Sequence, residues 1–450
     1  MEYRAIAGVS ADQTVSLAEL VGAFSYALDI TEGQPAGHGV RSCWIGSHIG
    51  KAIGLSAQDR DDLYYTLLLK DLGCSSNSAR VCELYQADDR AFKQGYKTVG
   101  TSLAATIHFV ASRTATAAPL HRRAAAIGHI LKHGDDIAQE LIVSRCTRGA
   151  YIATSLRFSD SVASGIYHLD EHFDGSGRPG HLRGEAIPLA SRIALLAQVA
   201  DVFHSHAGRD AAIDEVQRRS GSWLDPALVD AFTAVAADPA FWSGLTSPFL
   251  DTRLLSLTPR EHRRTVDDDY LDAIAAAFGA VIDAKSPFTA GHSGRVADLA
   301  EQIGGAFGVL PARRRWIYRA ALLHDVGKLG VSNRILDKPG KLDDREWVEM
   351  RGHAAHTQAI LGRIGVLADL APIAAAHHEK LDGTGYPLGL VDHEIRRETR
   401  IITVCDFYDA LTSDRPYRAA MTTSDAMAII SDEVGIAIDG DCFEALRGLV

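Results

Sequence analysis

The sequence predicts an all-α protein built from two tandem copies of one helical-bundle domain, and three observations predict it. Apolar residues recur at three- and four-residue spacing, as in Ile317-Tyr-Arg-Ala-Ala-Leu-Leu-His-Asp and Tyr270-Leu-Asp-Ala-Ile-Ala-Ala-Ala-Phe, the period of an amphipathic helix. No alternating strand pairs joined by hairpin turns stand out. Segments of the first half recur in the second, the mark of a repeated unit.

The repeat has two blocks. Gly37-His38-Gly-Val-Arg41 lines up with Gly291-His292-Ser-Gly-Arg295 at an offset of 254, and Leu69-Lys70-Asp71 with Leu323-His324-Asp325 at the same offset. Asp174-Gly-Ser-Gly177-Arg-Pro179 matches Asp382-Gly-Thr-Gly385-Tyr-Pro387 at an offset of 208, as Arg192 and Asp201 match Arg400 and Asp409. The first copy therefore carries an insert of about 46 residues between its blocks. The expected domains are residues 1–250 and 269–450, joined by a linker over 251–268. In the linker, Thr258-Pro-Arg-Glu261 has the layout of a capping box, with Thr258 as N-cap and Pro259 at the first helical position.

Composition limits the function. At 450 residues each copy can bury a sizeable core. The formal charge of -11 argues against duplex nucleic acid as a partner, which would need a basic footprint. No apolar run is long enough to span a membrane, and Met1-Glu-Tyr-Arg lacks the features of a signal peptide, so a cytoplasmic location is expected. The six cysteines, Cys405 among them, show no paired framework and read as reduced, mostly buried thiols.

Chemistry concentrates in the second copy, where His292, His324-Asp325, His353, His377-His378 and Asp406 follow in order. Each alone is weak: a lone His-Asp dipeptide is usually accidental, and His377-His378-Glu379 could be an ordinary polar helix face. Together, five imidazoles and two carboxylates suit divalent iron or manganese better than a thiolate site would. An adjacent His-Asp pair on one helix splays its side chains about 100° apart, so the carboxylate can bridge two cations while the imidazole binds one. Such a pair of cations activates water for in-line attack on a phosphodiester.

His324-Asp325-Val-Gly-Lys328 resembles the signature of the HD phosphohydrolase superfamily, and His377-His-Glu-Lys-Leu-Asp382-Gly-Thr-Gly385-Tyr386-Pro387 is similar to the motif that defines its HD-GYP subgroup. Asp406-Phe-Tyr-Asp409 through Arg415-Pro-Tyr-Arg418 resembles that subgroup's closing motif. The resemblance implies two HD-type helical bundles and hydrolysis of cyclic di-GMP to linear pGpG and onward to GMP. It implies that His292, His324 and Asp406 bind one metal ion, that His353, His377 and His378 bind a second, and that Asp325 bridges them. Iron or manganese is implied first, with zinc, magnesium or nickel as alternatives. Lys328 would help protonate the leaving oxygen, unless it is a plain salt-bridging lysine. Arg415 and Arg418 would hold phosphate or guanine, and Tyr386 would contact substrate or merely pack in its Gly-rich turn.

Two departures bear on this. Phe288 stands where some relatives place a glutamate for a third metal, so two metals are expected. Ala354 follows His353 where proline is common, and His356 one turn on reads as a solvent-facing histidine rather than a spare ligand.

The first copy reads as degenerate. His324 becomes Lys70, Lys328 becomes Cys74, His377-His378 becomes Leu169-Asp170, Asp406 becomes Gln198 and Tyr386 becomes Arg178, while His38 and Asp71 remain. A lysine where a cation should sit repels metal. This copy is expected to be non-catalytic, either a packing scaffold or a regulatory module that takes a nucleotide through Arg178. For the whole chain, a cyclic-dinucleotide receptor with little turnover and an HD-family hydrolase of another cyclic or mononucleotide stay open, as does a homodimer.

Overall fold

Helices make up the regular structure of the computed structural model, which describes residues 17–100, 102–257 and 267–450; among these residues only isolated β-bridges occur. The expected capping box at Thr258–Glu261 lies outside the described residues. The chain separates into two compact units, one of Val21–His262 and the other of Arg263–Val450 together with Leu17–Leu20. No helix among the described residues is long and apolar enough to cross a membrane.

The elements that position chemistry in the first unit are α1 (His38–Ala52), α2 (Ala57–Leu69), α3 (Asp89–Lys97), α4 (Leu120–Ser155, bent at His133) and α5 (Leu189–Arg218, broken at Gly208). In the second unit, after α6 (Asp268–Asp283), the helices α7 (His292–Ala306), α8 (Pro311–Leu323), α9 (Asp344–Leu361) and α11 (Arg397–Thr412) correspond to α1, α2, α4 and α5, with α10 (Ala371–Ala375) between α9 and α11. Helix α3 lies inside the insert and has no counterpart. Both α1 and α7 start after a glycine in the left-handed region, Gly37 at φ 86° and Gly291 at φ 69°, where a side chain would be strained.

Local sequence explains the helix starts. Pro311 opens α8 at a position whose N–H would be unpaired anyway. Asp343 caps α9 by accepting from the Arg345 and Glu346 amides, while Glu346 accepts from the Asp343 amide at 2.8 Å. The core of the second unit joins α7, α8 and α11 through Val296, Ala300 and Ile303, Ile317 and Ala320, and Ile401, Ile402 and Val404, all buried. Burying each large aliphatic side chain contributes about 1.5–3 kcal/mol, and the alanines let the helices approach closely.

The His-Asp pair is placed otherwise than expected. It does not lie within a helix: α8 ends at Leu323, His324 is the C-cap, and the chain turns into a 3₁₀ segment, Val326–Gly330. The cause is the contact with α9. A Cβ on Gly327 would lie 1.8 Å from the His353 carbonyl oxygen, so only glycine lets the turn seat there. Thr357 then staples the two elements, accepting from the Gly327 amide and donating to the His324 carbonyl, both at 3.0 Å.

Candidate metal centre

This turn brings the scattered residues of the second unit together. Ligand atoms of His292, His324 and Asp406 all lie within 4.8 Å of one another, as do those of His353, His377 and His378. Asp325 stands between the two groups. Its Oδ2 lies 3.4 Å from His292 Nε2 and 3.3 Å from His324 Nε2, and its Oδ1 lies 3.7 Å from both His353 Nε2 and His377 Nε2. His378 and Asp406 are half-buried and the other five residues buried, so these two mark the open side of the cluster.

The imidazoles are oriented by their far nitrogens. His324, His353 and His377 each face Nδ1 to the carbonyl three residues back, Ala321, Met350 and Ala374, at 2.6 Å. His292 Nδ1 faces Asp409 Oδ2 at 2.7 Å. A proton on Nδ1 leaves the Nε2 lone pair free, the tautomer a metal requires. Among the described residues, Nε2 of all four rings and Oδ1 of Asp325 are buried without a hydrogen-bond partner, an arrangement that costs free energy unless something else binds there.

Electrostatics point the same way. Burial pushes His353 down to about 4 and His378 down to about 3, keeping both neutral. For His292, burial also acts downward, but Asp325, Asp406 and Asp409 outweigh it and lift the ring to about 10. The carboxylates around His292 thus call for positive charge at this point. With imidazole and carboxylate donors and no thiolate, the set fits borderline divalent cations.

The remaining candidates divide. Lys328 lies one 3₁₀ turn past Asp325, where i and i+3 side chains eclipse, and its Nζ is 2.5 Å from Asp325 Oδ2. Tyr386 tilts over the His378 ring at 4.8 Å. Arg418 is committed elsewhere than expected, to the Ala410 and Leu411 carbonyls at 2.7 and 2.9 Å, where it closes the C-terminus of α11. Arg415 pairs with Arg418 through the backbone of the same turn, and its Nε reaches the Ala410 carbonyl at 3.5 Å. His356 packs beside Gly330, and Cys405 is core.

Sequence reasoning missed the supports. Asp409 holds His292 and is itself gripped by Arg295, whose Nε lies 2.5 Å from Asp409 Oδ1. The signal was available, since Arg295 and Asp409 both recur in the first copy as Arg41 and Asp201. Glu379 accepts from the Leu388 and Leu390 amides at 2.6 and 2.9 Å and so holds the Gly-Tyr-Pro loop against the cluster. Asp409→Asn is expected to cost about 10- to 100-fold in metal affinity, the usual range for a residue that orients a ligand, read by competition with a metal indicator.

The chain matches the HD domain family over residues 112–228 and 277–442. It is 52% identical over 437 residues to the 3′3′-cGAMP-specific phosphodiesterase 3 of Vibrio cholerae serotype O1, covering 97% of this chain and 95% of that protein. The chain belongs to the HD domain family. It also resembles the crystal structure of a cyclic GMP-AMP-specific phosphodiesterase of V. cholerae, with a TM-score of 0.66 and 46% identity over 96% of this chain and 97% of that one. A cyclic di-GMP phosphodiesterase of Pseudomonas aeruginosa, PA4108, is 44% identical over 109 residues, 24% of this chain and 26% of that protein.

The first unit repeats these supporting contacts around a different set of central side chains. His38 Nδ1 faces Asp201 Oδ2 at 2.6 Å and Arg41 grips the same carboxylate, repeating the His292–Asp409–Arg295 arrangement. Glu171 holds the Gly180 and Leu182 amides as Glu379 holds its loop. At the centre, however, Lys70 Nζ lies 2.9 Å from His38 Nε2 and pairs with Asp71 Oδ2. Burial and this ammonium push His38 down to about 4, so its Nε2 remains an acceptor.

The other side of Asp71 is also filled by cations. A Cβ on Gly73 would strike the Arg145 carbonyl and the Gly149 amide, as one on Gly327 would strike those of His353 and Thr357. Arg145 therefore stands in the place of His353, and its guanidinium pairs with Asp170, the counterpart of His378. Lys97, from the insert helix α3, lies 3.0 Å from Glu32 Oε2 and 4.0 Å from Asp71 Oδ1. Glu32, Asp71 and Cys74 could also group around a cation, but Lys93 and Lys97 already serve Glu32. Arg178 pairs with Asp135.

Proposed function

We propose that the second unit is a metal-dependent phosphodiesterase that opens cyclic dinucleotides, with 3′,3′-cyclic GMP-AMP as its preferred substrate, and that the first unit is non-catalytic. The observation that carries this reading is the group of five buried ligand atoms without a hydrogen-bond partner, four imidazole Nε2 atoms and Oδ1 of the Asp325 they surround. In this reading His292, His324 and Asp406 hold one divalent cation, His353, His377 and His378 hold the second, and Asp325 bridges them. Iron and manganese suit the donors best. When bound, the cations supply Lewis acidity toward a phosphoryl oxygen and toward a water.

The chain's own residues do the rest. Asp409 and the three backbone carbonyls keep each ring in its ligand tautomer. As a water oxygen forms its bond to phosphorus and the P–O bond to ribose breaks, Lys328, held at Asp325, gives a proton to the departing ribose oxygen; one water proton stays on the new terminal phosphate and the other restores Lys328, leaving a linear dinucleotide. Tyr386 walls the open side beside His378, and Arg415 flanks the substrate phosphates. Arg418 supports that loop rather than the ligand.

The preference for the mixed dinucleotide rests on the V. cholerae relative named for it, which is similar along nearly the whole chain. Cyclic di-GMP is the second reading, favoured by the P. aeruginosa relative, whose likeness spans a quarter of the chain. Hydrolysis of each by the full chain loaded with manganese or ferrous iron, followed by chromatography, tests both. Faster opening of cyclic GMP-AMP is expected. Faster opening of cyclic di-GMP would reverse the preference, and opening of neither would overturn the reading.

A further inference from the structure

We propose that Arg351 reads guanine, making it a specificity-determining residue beside the candidate metal centre; this rests on the second unit being a cyclic-dinucleotide phosphodiesterase. Arg351 lies on α9 two residues before His353, and Trp347 one turn earlier on the same face. The Arg351 guanidinium carbon is 5.4 Å from the Tyr386 ring centre and 5.7 Å from that of Trp347. Tyr386 in turn covers His378 at 4.8 Å. The guanidinium thus stands one aromatic ring outward from the cluster, where a base would lie when its phosphate reaches the metals.

Two further facts favour a ligand there. Trp347 is 45% exposed and Arg351 is exposed, so the ledge opens to solvent. Among the described residues no carboxylate or carbonyl holds the Arg351 guanidinium, whereas Arg295 is committed to Asp409 and Arg418 to two carbonyls. Ring faces stack bases with little regard to identity. A guanidinium fork, by contrast, matches the O6 and N7 acceptors of guanine and meets the amino donor of adenine unfavourably. The ledge therefore accepts a purine, and Arg351 selects which one.

The test uses the full, metal-loaded chain and its Arg351→Ala and Arg351→Lys variants. The quantities are KM and kcat for cyclic GMP-AMP and cyclic di-GMP, and the inhibition constant of cyclic di-AMP against them. In Arg351→Ala, KM for the guanine-bearing pair is expected to rise about 10- to 100-fold, with kcat and the cyclic di-AMP constant within about threefold. Arg351→Lys should resemble the alanine variant, since an ammonium lacks the fork. An equal rise for all three dinucleotides, or an unchanged KM, would overturn the assignment of Arg351 alone. A wild-type chain that opens neither guanine-bearing dinucleotide would instead overturn the phosphodiesterase reading, and this inference with it.

Discussion

Asp325→Asn is expected to lower cyclic-dinucleotide hydrolysis by about 10³-fold or more while leaving the helices in place. The amide keeps the shape of the carboxylate but loses its charge, and one of its two ends becomes a donor. Since Oδ2 faces His292 and His324 and Oδ1 faces His353 and His377, either orientation of the amide aims an N–H at a ligand cluster. If the cations stabilise the transition state by about 4 kcal/mol, loss of the bridge gives the stated factor at 1.36 kcal/mol per tenfold. Circular dichroism should be unchanged, because the turn is held by Thr357 and Gly327 rather than by Asp325. Residual activity within about tenfold of wild type would reject Asp325 as the bridge. Undiminished ligand binding with no turnover in the wild-type chain would favour the receptor reading instead.

Lys70→Met is expected to destabilise the first unit by about 3–5 kcal/mol, the cost of leaving a buried charge without its partner. Lys70 is 2% exposed and Asp71 is 3% exposed. Burial alone would raise the Asp71 carboxyl, yet the ammoniums of Lys70 and Lys97 hold it well below the usual carboxylate range. Methionine fills the same space without the charge, so the loss reports electrostatics rather than a cavity. A unit of this size loses about 2–4 °C in melting temperature per kcal/mol, so its thermal transition should fall by about 10 °C. An unchanged transition would mean that Lys97 and Arg145 suffice to neutralise Asp71. That outcome would undercut the view that internal cations replace metals in this copy.

Much of the candidate site was legible because the repeat acts as an internal alignment. His38 opposite His292 and Asp71 opposite Asp325 marked positions that the two copies share, and Lys70 opposite His324 marked where they differ. What fills the corresponding place in the first copy was less legible. Lys97 comes from the insert, which has no counterpart to align with, and Arg145 required carrying the second offset upstream to His353. The His-Asp pair was expected inside a helix because Leu322 and Leu323 continue its apolar period. The helix stops there because tertiary contact with α9, through Gly327, decides the backbone. Arg418 showed the limit of reading charge from sequence. A guanidinium suits phosphate, but it suits the unpaired carbonyls at a helix end equally well, and only the fold shows which it serves. Of the linker, the residues expected to cap a helix fall outside the described segments.

Anomalous scattering from crystals of the manganese- or iron-loaded chain tests the central claim most directly. The account predicts two peaks per chain, about 3.5–4 Å apart, on either side of Asp325, and none beside Asp71. An absence of density among His292, His324, His353, His377, His378 and Asp406, or a peak at Lys70 and Asp71, would contradict it.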